Sequence, residues 1–254
     1  MRKIKMLVYG LPGVGKTRFL GTAADSLLTS PTLMLDFEAG TWSISSKVIE
    51  ITLEQLLDGF VPKEQSKVYV VRIKGWTDFD KVLDFLYTNE KTMLWKSILV
   101  DSISEINYLN LRDAVKTDPK PSSPDPAMDK YLKGVAQLKH YLKSQTQMRR
   151  MIRDFRDLDI HVFFSAQSGE DKDEMTGETY IRPGMVGKLA GEIPGLVDIV
   201  GYMYTNSAGN RIMRFQPTHR ILAKDRAEES ELGDEQDNMT ISDLLKLTGL
   251  EVTP

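Results

Sequence analysis

Eight residues near the N-terminus combine types and spacing suited to holding a polyanion: Gly10-Leu11-Pro12-Gly13-Val14-Gly15-Lys16-Thr17. They follow an apolar, strand-like run from Ile4 to Tyr9 and open a helix-like run. Glycines let successive backbone N–H groups curl around an anion, because their φ is free of the Cβ constraint. The helix that follows turns its positive end toward the same point. Lys16 can reach the outer phosphates of a nucleotide, and Thr17 can offer a hydroxyl to a divalent cation. Gly-x4-Gly-Lys-Thr between a strand and a helix is therefore read as a phosphate loop, with Gly10 to Thr17 and the adjacent Arg18 as its contact residues. The competing reading is a Gly/Pro-rich turn that precedes a helix by chance.

Phosphoryl transfer to water needs a metal, a clamp on the γ-phosphate and a group that orients the water. Ser97-Ile98-Leu99-Val100-Asp101 is an apolar run ending in an acid. Asp101 at such a strand end would complete the Mg²⁺ shell with Thr17; the alternative is an ordinary Asp at a turn or N-cap. The next residue is Ser102, where many AAA+ ATPases carry a water-orienting Glu. A carboxylate is available elsewhere: Leu35-Asp36-Phe37-Glu38-Ala39-Gly40 closes the strand after the loop's helix. That puts Glu38 at the same sheet edge, unless it is only a cap or a surface acid. Asp36 reads as structural. Phe163-Phe164-Ser165-Ala166-Gln167 ends another apolar run in a polar amide, which can bond a phosphate or its attacking water.

These features together resemble the RecA class of ATPases, and most of all its short, phage-type members concerned with single-strand annealing and recombination. The shared elements are the phosphate loop, Asp36-Phe37-Glu38-Ala39-Gly40, the Asp101-Ser102 and Ser165-Ala166-Gln167 strand ends, Arg182-Pro183-Gly184 through Pro194-Gly195, and Lys224-Asp225-Arg226. They run from residue 10 to 226. The resemblance implies a RecA-like P-loop NTPase fold with ATP and Mg²⁺ as ligands. It implies Glu38 as general base or water positioner, and Gln167 as a γ-phosphate sensor that relays to a DNA-binding loop. It also implies Lys224 and Arg226 as cations that reach a neighbouring subunit's nucleotide, against the plainer reading of a surface basic pair. Single-stranded DNA, further copies of the chain and a single-stranded-DNA-binding protein are the implied partners. The chain enters its first strand within a few residues of Met1, so neither a signal peptide nor the N-terminal polymerisation arm of larger recombinases is expected.

The elements that must position these residues alternate. Strands are expected at Lys3–Tyr9, Thr32–Phe37, Lys67–Ile73, Ser97–Val100 and Ile160–Ala166. Helices are expected at Thr17–Leu28, Thr77–Thr88, Ile103–Val115 and Tyr131–Leu158. This predicts an α/β fold: a mostly parallel sheet flanked by helices, with ligands at the carboxyl ends of the strands. A core of residues 1–226 would be followed by an acidic linker, Glu228–Asp237, and a short helix, Ile241–Leu247. The Pro-rich stretch Thr117–Asp129 and the Gly-rich stretch Ser168–Gly195 read as mobile, the latter carrying a hairpin arm at Glu178–Arg182. Tyr180, Arg182 and Lys188 offer one ring and two cations for single-stranded DNA; the alternative is a hairpin packed on another subunit. On the long helix, Tyr131, Val135, Leu138, Leu142, Ile152 and Phe155 mark an apolar face, and the basic remainder reads as a solvated face or a DNA or subunit contact.

The net charge of −3 means any nucleic-acid binding must come from a local patch. With no cysteine and three scattered histidines, a disulfide framework or zinc site is not expected. No apolar run approaches the length of a membrane span, so a cytoplasmic protein is expected, in the host cytoplasm if phage-encoded. A DNA packaging or replication motor or loader, and a nucleotide-switched protein-binding regulator, remain the other readings. A small-molecule kinase would need an arginine-rich lid, and neither mobile stretch supplies one. The absence of an Asn-Lys-x-Asp guanine motif favours ATP over GTP.

Overall fold

A computed structural model describes residues 2–118, 134–172, 177–228 and 230–250. Within them the elements run β1 (Lys5–Gly10), α1 (Lys16–Gly21), β2 (Thr32–Asp36), β3 (Val48–Glu50), α2 (Leu53–Leu57), β4 (Val68–Arg72), α3 (Trp76–Thr88), β5 (Ser97–Asp101) and α4 (Ile103–Thr117). There follow α5 (Leu138–Asp157), β6 (His161–Lys172), β7 (Thr179–Pro183), α6 (Leu189–Leu196), β8 (Ile199–Thr205), β9 (Arg211–Arg214), β10 (Glu235–Asp237) and α7 (Ile241–Leu247).

One sheet runs in the order β10-β9-β8-β1-β6-β5-β2-β4-β3, with β7 paired to β6. From β8 to β3 the pairs are parallel; β9 and β10 add an antiparallel edge. β1, β2 and β5 are buried along their whole length, as strands covered on both faces must be. Their side chains alternate between two cores. Leu7, Tyr9, Leu33, Leu35, Ile98 and Val100 pack with α3 and α5 on one face. Met6, Val8, Met34 and Leu99 pack with α1 and α7 on the other. The alternating α/β order expected from sequence is thus realised as a P-loop NTPase fold.

Several boundaries differ from expectation. α1 ends at Gly21 and tightens into a 3-10 turn at Thr22–Asp25, so the helix does not reach Leu28. The Thr22 hydroxyl donates to Phe19 O at 2.6 Å, a local bond that competes with helix continuation. α5 begins at Leu138, and Tyr131 lies outside the described residues. Its buried stripe is His140, Ser144, Met148, Met151, Ile152 and Phe155, while Val135, Leu138 and Leu142 are exposed. The first half of that stripe is polar because α4 meets it with amides. Asn107 Nδ2 donates to Ser144 Oγ at 3.3 Å, and Asn110 Nδ2 to Gln147 Oε1 at 3.0 Å. A hydrophobic pattern cannot reveal a helix packed on hydrogen bonds. The basic face of α5 is partly neutralised by ion pairs of Lys139 with Asp118, Arg149 with Glu192, Arg150 with Asp154 and Arg156 with Asp157.

The segment after residue 226 is not a linker. β10 joins the sheet, and Leu232, Ile241, Leu244 and Leu245 are fully buried. One of its acids is held there by pairing: Glu235 forms an ion pair with Arg214 and accepts from Tyr204 Oη at 2.9 Å. Ser168–Gly195 is also more regular than expected. β6 continues past Gln167 and forms an antiparallel hairpin with β7, which contains the anticipated Glu178–Arg182 arm apart from its first residue. α6 follows. Asp173 and Glu174 lie outside the described residues, as does most of the Pro-rich stretch. No helix among the described residues is long and apolar enough to cross a membrane.

Candidate nucleotide site

Strand register assembles the site. β1 ends at Gly10, and its partner across the β1–β6 ladder is Gln167. β5 ends at Asp101, opposite Asp36 at the end of β2. Glu38 follows two residues beyond Asp36. Four neighbouring strands thus deliver the loop, the amide and both carboxylates to one edge.

The loop itself needs its glycines. Gly13 and Gly15 have φ of 78° and 109°, in the region that favours residues without a Cβ. The buried Lys16 ammonium donates to Gly10 O and Leu11 O, each at 2.9 Å, and to Gln167 Oε1 at 3.1 Å. Burial lowers the Lys16 pKa, opposed by Glu38 and Asp101. A desolvated cation of this kind favours an arriving anion.

The Thr17 hydroxyl donates to Asp101 Oδ2 at 2.7 Å, and Ser165 Oγ donates to Asp101 Oδ1. Burial pushes the Asp101 carboxyl above the usual carboxylate range, only partly offset by these two hydroxyls. A hydroxyl and a carboxylate converging beside a phosphate loop form a donor set of the hard-oxygen type that suits Mg²⁺, with phosphates and water completing the shell.

Glu38 is held from three sides. Its backbone N–H donates to Asp36 Oδ1 at 3.1 Å. Ser102 Oγ donates to its Oε1. Gln167 Nε2 donates to both its oxygens, at 3.2 and 3.3 Å. The Gln167 amide therefore bridges Lys16 and Glu38, and only the orientation with oxygen toward Lys16 satisfies both partners. Asp36 is buried and faces Arg72 Nη1 at 3.8 Å, so its role is to shape the turn that presents Glu38. Ser102 occupies the place where an AAA+ enzyme would carry its Glu. Here it orients a Glu supplied by the adjacent strand, and it also caps α4 by accepting from Glu105 N at 3.4 Å.

The cavity in front of these groups is about 520 Å³, a size typical of small-ligand sites. Pro12, Arg18, Gly40, Trp42, Ser43 and Arg211 also line it. A family model for an AAA domain matches residues 2–227. The chain belongs to this AAA-domain family. It is a nucleotide-binding P-loop ATPase. No sequence among curated proteins matches it.

Not every anticipated residue reaches the cavity of this AAA domain. Lys224 lies elsewhere: its ammonium donates to Pro194 O at 2.9 Å and to Val197 O. Burial, with Arg226 nearby, lowers its pKa to about 8. These two carbonyls occupy its ammonium, whereas Arg226 is exposed. Tyr180 and Arg182 lie two apart on β7, with the guanidinium 5.3 Å from the ring centroid, and Lys188 is exposed just before α6. None of these three lines the cavity. Sequence reasoning missed Ser102 and Ser165 as supports, and Trp42 and Arg211 as lining residues. Only Arg211 carried a usable signal. It opens the short run Arg211-Ile212-Met213-Arg214-Phe215 directly after Asn206-Ser207-Ala208-Gly209-Asn210, a turn-rich stretch typical of a hairpin.

Proposed function

We propose that the chain is a RecA-like, Mg²⁺-dependent ATPase that acts on single-stranded DNA in phage-type recombination, annealing or repair, working as a homo-oligomer. The observation that carries this reading is the hydrogen-bond path Lys16–Gln167–Glu38. Its middle residue, Gln167, lies on β6, the strand that continues into the β6–β7 hairpin. In the proposed mechanism the loop N–H groups and Lys16 hold the phosphates. Thr17 and Asp101 would hold Mg²⁺, which when bound offsets charge on the transferring phosphoryl group. Glu38, fixed by Ser102 and Gln167, orients the attacking water and accepts its proton. A phosphate oxygen at Lys16 competes with Gln167 Oε1, so the presence of the γ-phosphate changes what the amide bonds.

The path to the hairpin is short. Gln167 N donates to Ser104 Oγ at 3.0 Å, Ser104 Oγ donates to Gly184 O at 2.8 Å, and Gly184 N donates to Gln167 O at 2.6 Å. The sensor's backbone is thereby tied to the end of β7. Tyr9, the residue before the loop, donates to Leu222 O at 2.5 Å and lies 3.2 Å from Ile181 O on β7. Movement at either strand end is transmitted to the segment bearing Tyr180 and Arg182. Arg226 is the remaining candidate for a cation offered to a neighbouring subunit, and a single-stranded-DNA-binding protein remains a partner proposed by resemblance.

Binding to single-stranded DNA is expected to weaken with salt, since phosphate contacts release counterions. Replacing Arg182 and Lys188 together by alanine should lower affinity and shrink the log–log salt slope by roughly 1.4, two contacts at about 0.7 each. A fluorescence-anisotropy titration across salt concentrations measures this. A slope unchanged in the double variant removes the hairpin from the DNA site.

A further inference from the structure

Arg211 stands where two cavities meet. It opens β9, and its Nε donates to Val14 O inside the phosphate loop at 3.1 Å. Its guanidinium lies against Gly15. A Cβ on Gly15 would stand 2.6 Å from Arg211 Nε and 3.5 Å from Cζ, so the glycine leaves room for the arginine. No carboxylate pairs with Arg211 among the described residues. On one side is the phosphate cavity. On the other is a narrower cleft of about 150 Å³, bounded by Phe19 on α1, Met203 on β8, and Asn238 and Met239 before α7. Gly15, Arg18 and Arg211 line both.

The chemistry of the two sides differs. The first is built from loop N–H groups, a lysine and carboxylates. The second presents the Phe19 ring and the three thioethers of Met203, Met213 and Met239, polarizable groups that pack well on a flat aromatic ring, with the Asn238 amide beside them. The wall of the cleft is fixed in place: Asn238 N donates to Arg211 O at 2.7 Å, and Ile241 N to Thr22 Oγ1 at 2.8 Å.

We propose that Arg211 is a nucleotide ligand supplied by the same chain, binding the phosphates nearest the ribose, and that the base lies beyond it in the methionine-lined cleft. This rests on the nucleotide-binding reading and adds to it. A planar guanidinium anchored through Nε keeps its terminal N–H groups for a phosphate, the geometry in which arginine outperforms lysine. Arg211 then joins Lys16 as an in-chain phosphate ligand, reached from a strand distant in sequence from the loop.

Equilibrium binding of ADP, ATP and inorganic tripolyphosphate, measured by calorimetry without DNA or turnover, tests the arginine. Arg211→Ala should weaken all three by about 10- to 100-fold, the range of a charge-assisted bond. Equal affinities in variant and wild type overturn the assignment. A wild-type protein that binds no nucleotide would instead defeat the underlying reading, so the two failures are distinct. Photolabelling of the wild-type protein with an azido-adenine nucleotide tests the cleft and needs no variant. Label on peptides containing Met203 or Met239 is expected. Label concentrated on Trp42 at the opposite rim places the base outside the cleft and overturns that half.

Discussion

Replacing Glu38 by glutamine is expected to lower ATP turnover by about 10²- to 10⁴-fold, the usual contribution of a positioned general base, while ATP affinity holds. The substitution is nearly isosteric. A glutamine oxygen in the Oε1 position still accepts from Ser102 Oγ and Gln167 Nε2, and only the Gln167 bond to the second oxygen is lost, so the side chain stays anchored and loses the proton acceptor. The carboxylate does not contact the loop, and the phosphates should bind as before. Single-turnover hydrolysis and equilibrium ATP binding on the same preparation separate the two effects. Turnover that survives in Glu38→Gln would show that another group orients the water. Asp101 is the nearest alternative, but its oxygens are already taken by Thr17 and Ser165.

Lys16→Ala should act at the earlier step. Nucleotide affinity is expected to fall by about 10- to 100-fold, the value of one or two charge-assisted hydrogen bonds, and turnover to fall further. The fold should be little affected. The Lys16 ammonium is held in a desolvated position that already lowers its pKa, so removing it also removes a buried charge. Melting without nucleotide should therefore match the wild type, while the stabilisation given by added ATP should largely vanish, since a ligand stabilises by mass action only as far as it binds. Loss of melting temperature in the absence of nucleotide would mean that Lys16 is structural, acting through Gly10 O and Leu11 O. The two variants together distinguish a group that binds the substrate from one that acts on it.

The central site was legible because its parts are strand ends. Gly10, Asp101 and Gln167 each close an apolar run, and strands of one parallel sheet end on the same side. Glu38 followed from its place two residues past Asp36, and the register pairs Gly10 with Gln167 and Asp36 with Asp101 show why. What escaped reading depends on contacts between distant segments. Ser102, Ser104 and Ser165 are ordinary residues until folding sets them against Glu38, Gln167 and Asp101. β10 has the composition of a solvated loop, Glu-Gln-Asp, and is a strand through its pairing with β9 and the Glu235–Arg214 ion pair. The register of α5 differs from expectation for the same reason: Ser144 is buried against the Asn107 amide of α4, and His140 against the Asp118 carbonyl at the end of α4. Lys224 looked like a free cation in sequence, and only folding revealed the carbonyls of Pro194 and Val197 that hold it.

The most direct test of the proposed coupling is the steady-state ATP hydrolysis rate of the wild-type protein with and without single-stranded DNA. Stimulation by DNA, abolished in Glu38→Gln and weakened by the Arg182 and Lys188 substitutions, is the predicted result. Hydrolysis that depends on Glu38 but is indifferent to DNA at every salt concentration would contradict the account, and would turn the β6–β7 hairpin into a device for some other partner.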